Sequence, residues 1–315
     1  MTDPAGAGPD APPVDRAAAT KAAWLIVVAS FLFATMGVCV KLASAQYSPG
    51  EIVFYRGAVG AFVMAGLARW QGGTLATAVP AMHFWRSVAG VVAQGMWFYT
   101  LGALPLATAM TLNYMSSVWM ALFMFGGAVM LGNARLDGRL LGTVLLGFGG
   151  VALVLRPTID GAQLWYGLIG VFSGMISALA YLQVSALGRI GEPEYRVVFY
   201  FSLGGMALGG LTLFGTGMHA HTWSGVLLLL AVGLLASAAQ LMMTRAFSIG
   251  RQLVNASLQY LGIVFSFAYG VLLFNDDLTW VAVAGIVLII AAGLCATLLR
   301  SHGPASDTLK TSSDS

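Results

Sequence analysis

The sequence predicts an all-α integral membrane protein with ten transmembrane helices arranged as two inverted five-helix repeats. Three observations predict it: a composition too apolar for a water-facing surface, ten apolar segments of bilayer length, and a weak likeness between the two halves. Of 315 residues, 58% are hydrophobic and 9% charged, where a soluble domain carries about 25% charged residues. Mean hydropathy is +0.84. So few charges cannot clothe a soluble chain of this length, which excludes a cytosolic enzyme, a nucleic-acid binder and a secreted disulfide scaffold. A net charge of +3 is too small to suggest a polyanion partner. The 40 glycines suit helices that pack closely within a bilayer.

A bilayer core of about 30 Å needs about 20 apolar residues in a helix. Runs of that kind lie near 22–43, 51–69, 84–102, 106–130, 139–155, 163–187, 196–215, 223–245, 253–274 and 279–299. Turn residues join them, among them Ser48-Pro49, Gly72-Gly73, Arg156-Pro157 and Glu192-Pro193. Residues 1–21 and 300–315 read as disordered tails. Of the 15 Lys and Arg, only Lys41, Arg56 and Arg156 fall on the far side from the N-terminus, with Arg86 counted on the near side. The positive-inside rule therefore puts both termini in the cytoplasm.

The halves match at a nearly constant offset. Pro49 and Val53 correspond to Pro193 and Val197, Gln94 to Gln240, Asn113 to Gln259, and Tyr114 to Tyr260. Around the fifth and tenth spans, Asn133 and Gly142 correspond to Asp276 and Gly285. The duplicated unit covers about 22–156 and 163–299. Five spans per unit is an odd number, so the second copy enters the membrane from the opposite side. Inverted repeats of this kind build secondary transporters, with the substrate held between the copies.

Several segments carry a family resemblance. They are Phe33 to Lys41, with Gly37 in mid-span; Ser48-Pro49 followed by Phe54, Tyr55 and Arg56; and Leu101 to Ala109 around Pro105. The chain resembles the drug/metabolite transporter superfamily, specifically EamA-type permeases with two EamA-like domains, over about 22–299. Asn133 to Leu136 and Asp276 to Thr279 stand where that family has Gly-Glu-Arg-Leu. The resemblance implies a multi-pass protein of a bacterial-type cytoplasmic (inner) membrane that exports or exchanges small metabolites. Amino acids, nucleobase-like compounds, vitamins and drugs are the substrates it implies. It also implies a cavity among spans 1, 3, 4, 6, 8 and 9. Import of a vitamin- or nucleotide-type metabolite, a channel, and a membrane-embedded enzyme are the alternatives.

Polar residues inside spans nominate the site. Lys41 and Arg56 could form a cationic outer vestibule for a carboxylate or phosphate, or else snorkel, with Arg56 paired to Glu51. Gln94, Asn113, Gln240, Asn255 and Gln259 are amides deep in their spans, and each needs a partner or a wet cavity. Tyr99, Tyr114, Trp119, Tyr181 and Tyr260 could line an amphipathic pocket. Trp24, Trp70, Trp85, Trp165, Trp223 and Trp280 read as interface belts. Gly170/Gly174, Gly205/Gly209 and Gly138/Gly142 allow close helix packing and permit a homodimer. No HExxH, GxSxG or Walker loop occurs, so no catalytic residue, metal or cofactor is expected. His219 and His221 lack a third ligand, and Cys39 and Cys295 read as core residues. The expected partners are a small-molecule substrate and the lipid bilayer, with no nucleic acid.

Overall fold

A computed structural model describes residues 16–130, 161–250, 252–275 and 279–301, with isolated positions at 142, 146, 149, 150 and 153. The expected span at 139–155 is thus largely outside the described residues, as are the loop residues Asn133 and Asp276 and the ends of both tails.

The described elements are all helical. They are α1 (Arg16–Ala43), α2 (Pro49–Trp70), α3 (Pro80–Ala103), α4 (Leu106–Tyr114), α5 (Ser116–Met130), α6 (Gly161–Arg189), α7 (Glu194–Thr216), α8 (Trp223–Ile249), α9 (Gln252–Leu258), α10 (Leu261–Phe274) and α11 (Trp280–Ser301). Among the described residues, six stretches are long and apolar enough to cross a membrane, including Ala17–Ala43, Pro49–Trp70 and Trp223–Ile249. The chain is a multi-pass membrane protein. Large apolar side chains face outward, with Trp24, Trp70, Trp85, Trp165, Trp223 and Trp280 all exposed. Lipid replaces water as their solvent.

The first helix is described from Arg16, ahead of the apolar run at 22–43. Ala17, Ala18, Ala19, Ala22 and Ala23 are strong helix formers and carry the helix past the apolar run. The start of α2 is set by a reciprocal cap. Ser48 accepts from the Glu51 backbone N–H at 3.3 Å, and Glu51 Oε2 accepts from the Ser48 backbone N–H at 2.8 Å.

Three helix pairs carry the packing, and in each the partners come from opposite halves of the chain: α2 with α7, α1 with α8, and α3 with α6. The first two pairs run antiparallel. Gly50 lies against Thr212 at one end of α2, and Gly73, just past its other end, lies against Tyr195. Gly250 approaches Ala22 while Gly225 approaches Tyr47. At the α2–α7 crossing, a Cβ on Gly57 would collide with the backbone N of Met206 and the carbonyl of Ser202. Only glycine permits this approach.

Gly170 and Gly174 lie against Leu112 and Asn113, and Gly209 against Phe54. These small-residue surfaces serve close packing inside the molecule. Residue 138 of the third pair is outside the described residues.

Two expected spans each tighten locally. Residues 106–130 form α4 and α5, which meet at Met115, and residues 253–274 form α9 and α10, which meet at Gln259 and Tyr260; the backbone of Met115 and Tyr260 stays in the helical region, and the Met115 N–H still donates to Thr111 at 3.1 Å and the Gln259 N–H to Asn255 at 3.2 Å. Shorter-ring bonds mark both junctions. The Val118 N–H donates to Met115 at 2.9 Å, Gly262 to Gln259 at 2.8 Å, and Ile263 to Tyr260 at 3.0 Å. The junctions are tied together, since the Ser117 hydroxyl donates to the Ala256 carbonyl at 2.9 Å.

Candidate substrate-binding cavity

The two junctions border a cavity of about 60 Å³. Its walls come from both halves of the chain. Phe33 and Met36 of α1, Arg56 of α2, and Arg86, Gly90, Gln94 and Trp97 of α3 line one part. Asn113 and Tyr114 of α4, Ser177, Ala180 and Tyr181 of α6, Phe201 of α7, Gln240 of α8 and Gln259 line the rest. A typical ligand pocket holds about 300 Å³ or more.

Of the residues nominated from sequence, Arg56, Gln94, Asn113, Tyr114, Tyr181, Gln240 and Gln259 meet at this cavity. The Asn113 amide donates to Ser173 Oγ at 2.9 Å and to Ser177 Oγ at 3.4 Å, and Ser173 donates to the Ala93 carbonyl at 2.9 Å. Asn113 thus also ties α4 to α6. Both polar atoms of the Gln94 side chain and the Oε1 of Gln259 are buried without partners.

The others lie elsewhere. Lys41 Nζ donates to the Leu104 carbonyl at 3.3 Å and sits over the Phe274 ring at 4.7 Å, so it shares no vestibule with Arg56. The Asn255 amide donates to the Ala246 carbonyl at 2.6 Å, tying α9 to the end of α8. Tyr99 packs on Tyr166 with centroids 4.9 Å apart, in a separate apolar groove between α2, α3, α6 and α7. Trp119 stacks on Phe123, and Tyr260 is buried in the core beside the second junction.

Sequence reasoning missed Arg86. Counted there as a near-side charge, it is 2% exposed and faces the cavity. Its guanidinium carbon lies 4.3 Å from the Phe201 centroid, and that of Arg56 lies 4.7 Å from the same centroid. The signal for it was position: Arg86 falls inside the apolar run at 84–102, where the cost of a charge calls for a reason.

Polar contacts join the two halves of the chain at both ends of α2. At one end Glu51, wholly buried, accepts from the His219 backbone N–H at 2.7 Å and from the His219 ring Nδ1 at 2.6 Å. The proposed pairing of Glu51 with Arg56 is not made. The Thr222 hydroxyl donates to Gln46 at 2.9 Å, and the His221 ring packs on Tyr47 and Tyr55. At the other end Glu192 accepts from Thr77 Oγ1 at 3.0 Å, from Arg196 at 3.0 Å and from His83 Nε2 at 3.3 Å. Arg196 also donates to the Thr74 carbonyl at 2.9 Å. Burial pushes the Glu192 carboxyl up, but the bonds from Arg196, Thr77 and His83 outweigh it and hold the group below the usual carboxylate range. No cluster of three or more His, Cys, Asp or Glu occurs among the described residues.

Comparison with known proteins decides the family. The profile of the EamA-like transporter family matches residues 20–156. A pseudopaline exporter, CntI, of Pseudomonas aeruginosa is 32% identical, over 88% of this chain and 95% of its own length. The chain belongs to the EamA-like transporter family. It is a transporter of the drug/metabolite type and not an enzyme. An uncharacterized transporter of Helicobacter pylori is 25% identical over 87% of this chain and 93% of its own. A riboflavin transporter of Rhizobium johnstonii is 30% identical over 55% of each chain. A solved crystal structure at 19% identity superposes with a TM-score of 0.65 over 91% of this chain and 100% of its own, a likeness of fold alone.

Proposed function

We propose that this protein exports a small amphipathic metabolite, such as an amino acid or a related compound, across a bacterial inner membrane by alternating access. Two inverted five-helix repeats, about 22–156 and 163–299, form the transport unit, with both termini in the cytoplasm. The observation that carries the reading is the pair of locally tightened helices. Their junctions, at Met115 and at Gln259–Tyr260, fall at corresponding places in the two halves and border one cavity. Helix irregularities in equivalent positions point to the substrate site of inverted-repeat transporters.

Two further observations support it. The amide pairs Gln94 and Gln240, and Asn113 and Gln259, are matched across the halves and line the same space. Clamps at Glu51–His219 and at Glu192–Thr77 join opposite halves at opposite ends of α2, where alternating gates are needed. The outward direction is favoured by the likeness to an exporter over nearly the whole chain, whereas the likeness to a riboflavin transporter covers about half.

The test is a metabolite efflux profile. Cells overexpressing the protein should lose one metabolite class to the medium, and a variant with both Asn113→Ala and Gln259→Ala should not. Accumulation of the metabolite inside the cells instead would reverse the direction. Efflux unchanged in the variant would remove these amides from the path.

A further inference from the structure

Arg56 and Arg86 are 5% and 2% exposed, and both stack over the ring of Phe201. The Nε of Arg56 and the Nε and Nη1 of Arg86 are buried without a hydrogen-bond partner. The described residues contain only three carboxylates, and each is engaged elsewhere: Glu51 with His219, Glu192 with Arg196, and Glu194 with Arg245. Among the described residues, two guanidinium groups therefore share one apolar ring and no counter-charge. Cation–π attraction offsets part of their desolvation, but it satisfies no N–H donor. Gly90 keeps the space open, because a Cβ there would collide with Arg86 Nη1.

Stability alone does not account for two unpaired cations in a membrane interior. Guanidinium donors match the planar oxygens of a carboxylate or a phosphate, and an ion pair of that kind would fill the missing bonds. We propose that Arg56 and Arg86 form an oxyanion subsite, so that the transported compound is a small organic anion bearing a carboxylate or phosphate group. The apolar body of the substrate lies against Trp97, Tyr114 and Tyr181, and Gln94 supplies both a free donor and a free acceptor beside it. This inference rests on the transport reading and narrows its substrate class.

The test uses the full chain in lipid nanodiscs and follows thermal unfolding with added citrate or inorganic phosphate. Sodium chloride at matched ionic strength is the reference. Citrate or phosphate should raise the midpoint by about 2 °C or more above chloride. A rise with phosphate alone points to phosphorylated metabolites, and a rise with citrate alone to carboxylates. The variant with Arg56→Gln and Arg86→Gln should lose the rise. Without anion it should melt no lower than the parent, because it sheds two unpaired buried charges. Should that variant not fold, Arg56→Lys with Arg86→Lys, which keeps the charge but not the fork, should weaken the rise at least several-fold.

An equal rise with chloride, or no rise with either anion, overturns the proposal. So does a double Gln variant that melts well below the parent, since the arginines would then be structural. Anion binding in a protein that moves no metabolite would sink the export reading and leave the subsite standing. Metabolite efflux undiminished in the double Gln variant would do the reverse.

Discussion

The clamped ends of the molecule and its cavity use the same residue types in opposite ways. At the ends the two most buried carboxylates among the described residues are each held by three bonds: Glu51 accepts from Ser48 and twice from His219, and Glu192 accepts from Thr77, His83 and Arg196. In the cavity Arg56, Arg86, Gln94 and Gln259 keep buried polar atoms without partners. Buried polar groups in proteins are nearly always satisfied, so a cluster of exceptions calls for a reason. Single unpartnered atoms occur at the clamps too, at His83 Nδ1 and Tyr47 Oη, but the cavity brings Arg56, Arg86, Gln94 and Gln259 together around one space where something can bind.

The comparison sharpens through stability. The largest effect is expected for Glu51→Ala. It removes a wholly buried acceptor of three hydrogen bonds, and should lower stability by about 3 kcal/mol in a denaturation assay. Glu192→Gln should cost about 1–2 kcal/mol, because a neutral amide replaces a carboxylate held by Arg196.

The parent should also show a pH dependence at that end. The folded carboxyl of Glu192 is held below its usual range. Its contribution is therefore complete above the unfolded value of about 4.3 and is lost as pH falls through the lower folded value. Unfolding midpoints of parent and Glu192→Gln should thus converge in acid.

Gln94→Leu should leave stability unchanged or raise it, since the buried amide it removes makes no bond, yet should reduce transport about tenfold. A large loss of stability there would erase the contrast. The smallest effect is expected at Arg245→Gln, whose pairing with Glu194 at 2.6 Å is exposed and should be worth less than about 0.5 kcal/mol.

Much of the fold could be read from the sequence, because the bilayer leaves few options. A spanning segment must be apolar, long and self-bonded, and α1, α2, α7 and α8 follow the apolar runs within a few residues, although the Ala-rich start of α1 extends beyond its run. The junctions at Met115 and Gln259 were less legible. Neither carries a proline or glycine, and only the repeated pairs Asn113-Tyr114 and Gln259-Tyr260 hint at them.

The candidate site was legible where a residue was both polar and far from a span end, as at Gln94, Asn113 and Gln240. It was misread near span ends. Lys41 and Arg86 both lie there, yet the first is bound to a carbonyl and the second reaches the cavity. Sequence position gives depth in the membrane but not the direction a side chain faces around its helix, and that depends on which helices pack against it. Asn255 and Gln259, four residues apart, make the same point. The first ties α9 to α8, and the second, just past the end of α9, lines the cavity.

The most direct measurement is thiol accessibility at Ala180, which lines the cavity without a polar contact of its own. With Cys39→Ala and Cys295→Ala as background, Ala180→Cys would be treated with a membrane-impermeant thiol reagent in right-side-out and in inside-out vesicles. Alternating access through this cavity predicts labelling from both sides, with labelling on each side suppressed by a transported metabolite. Labelling from one side only, or from neither, in a folded and active variant would contradict it.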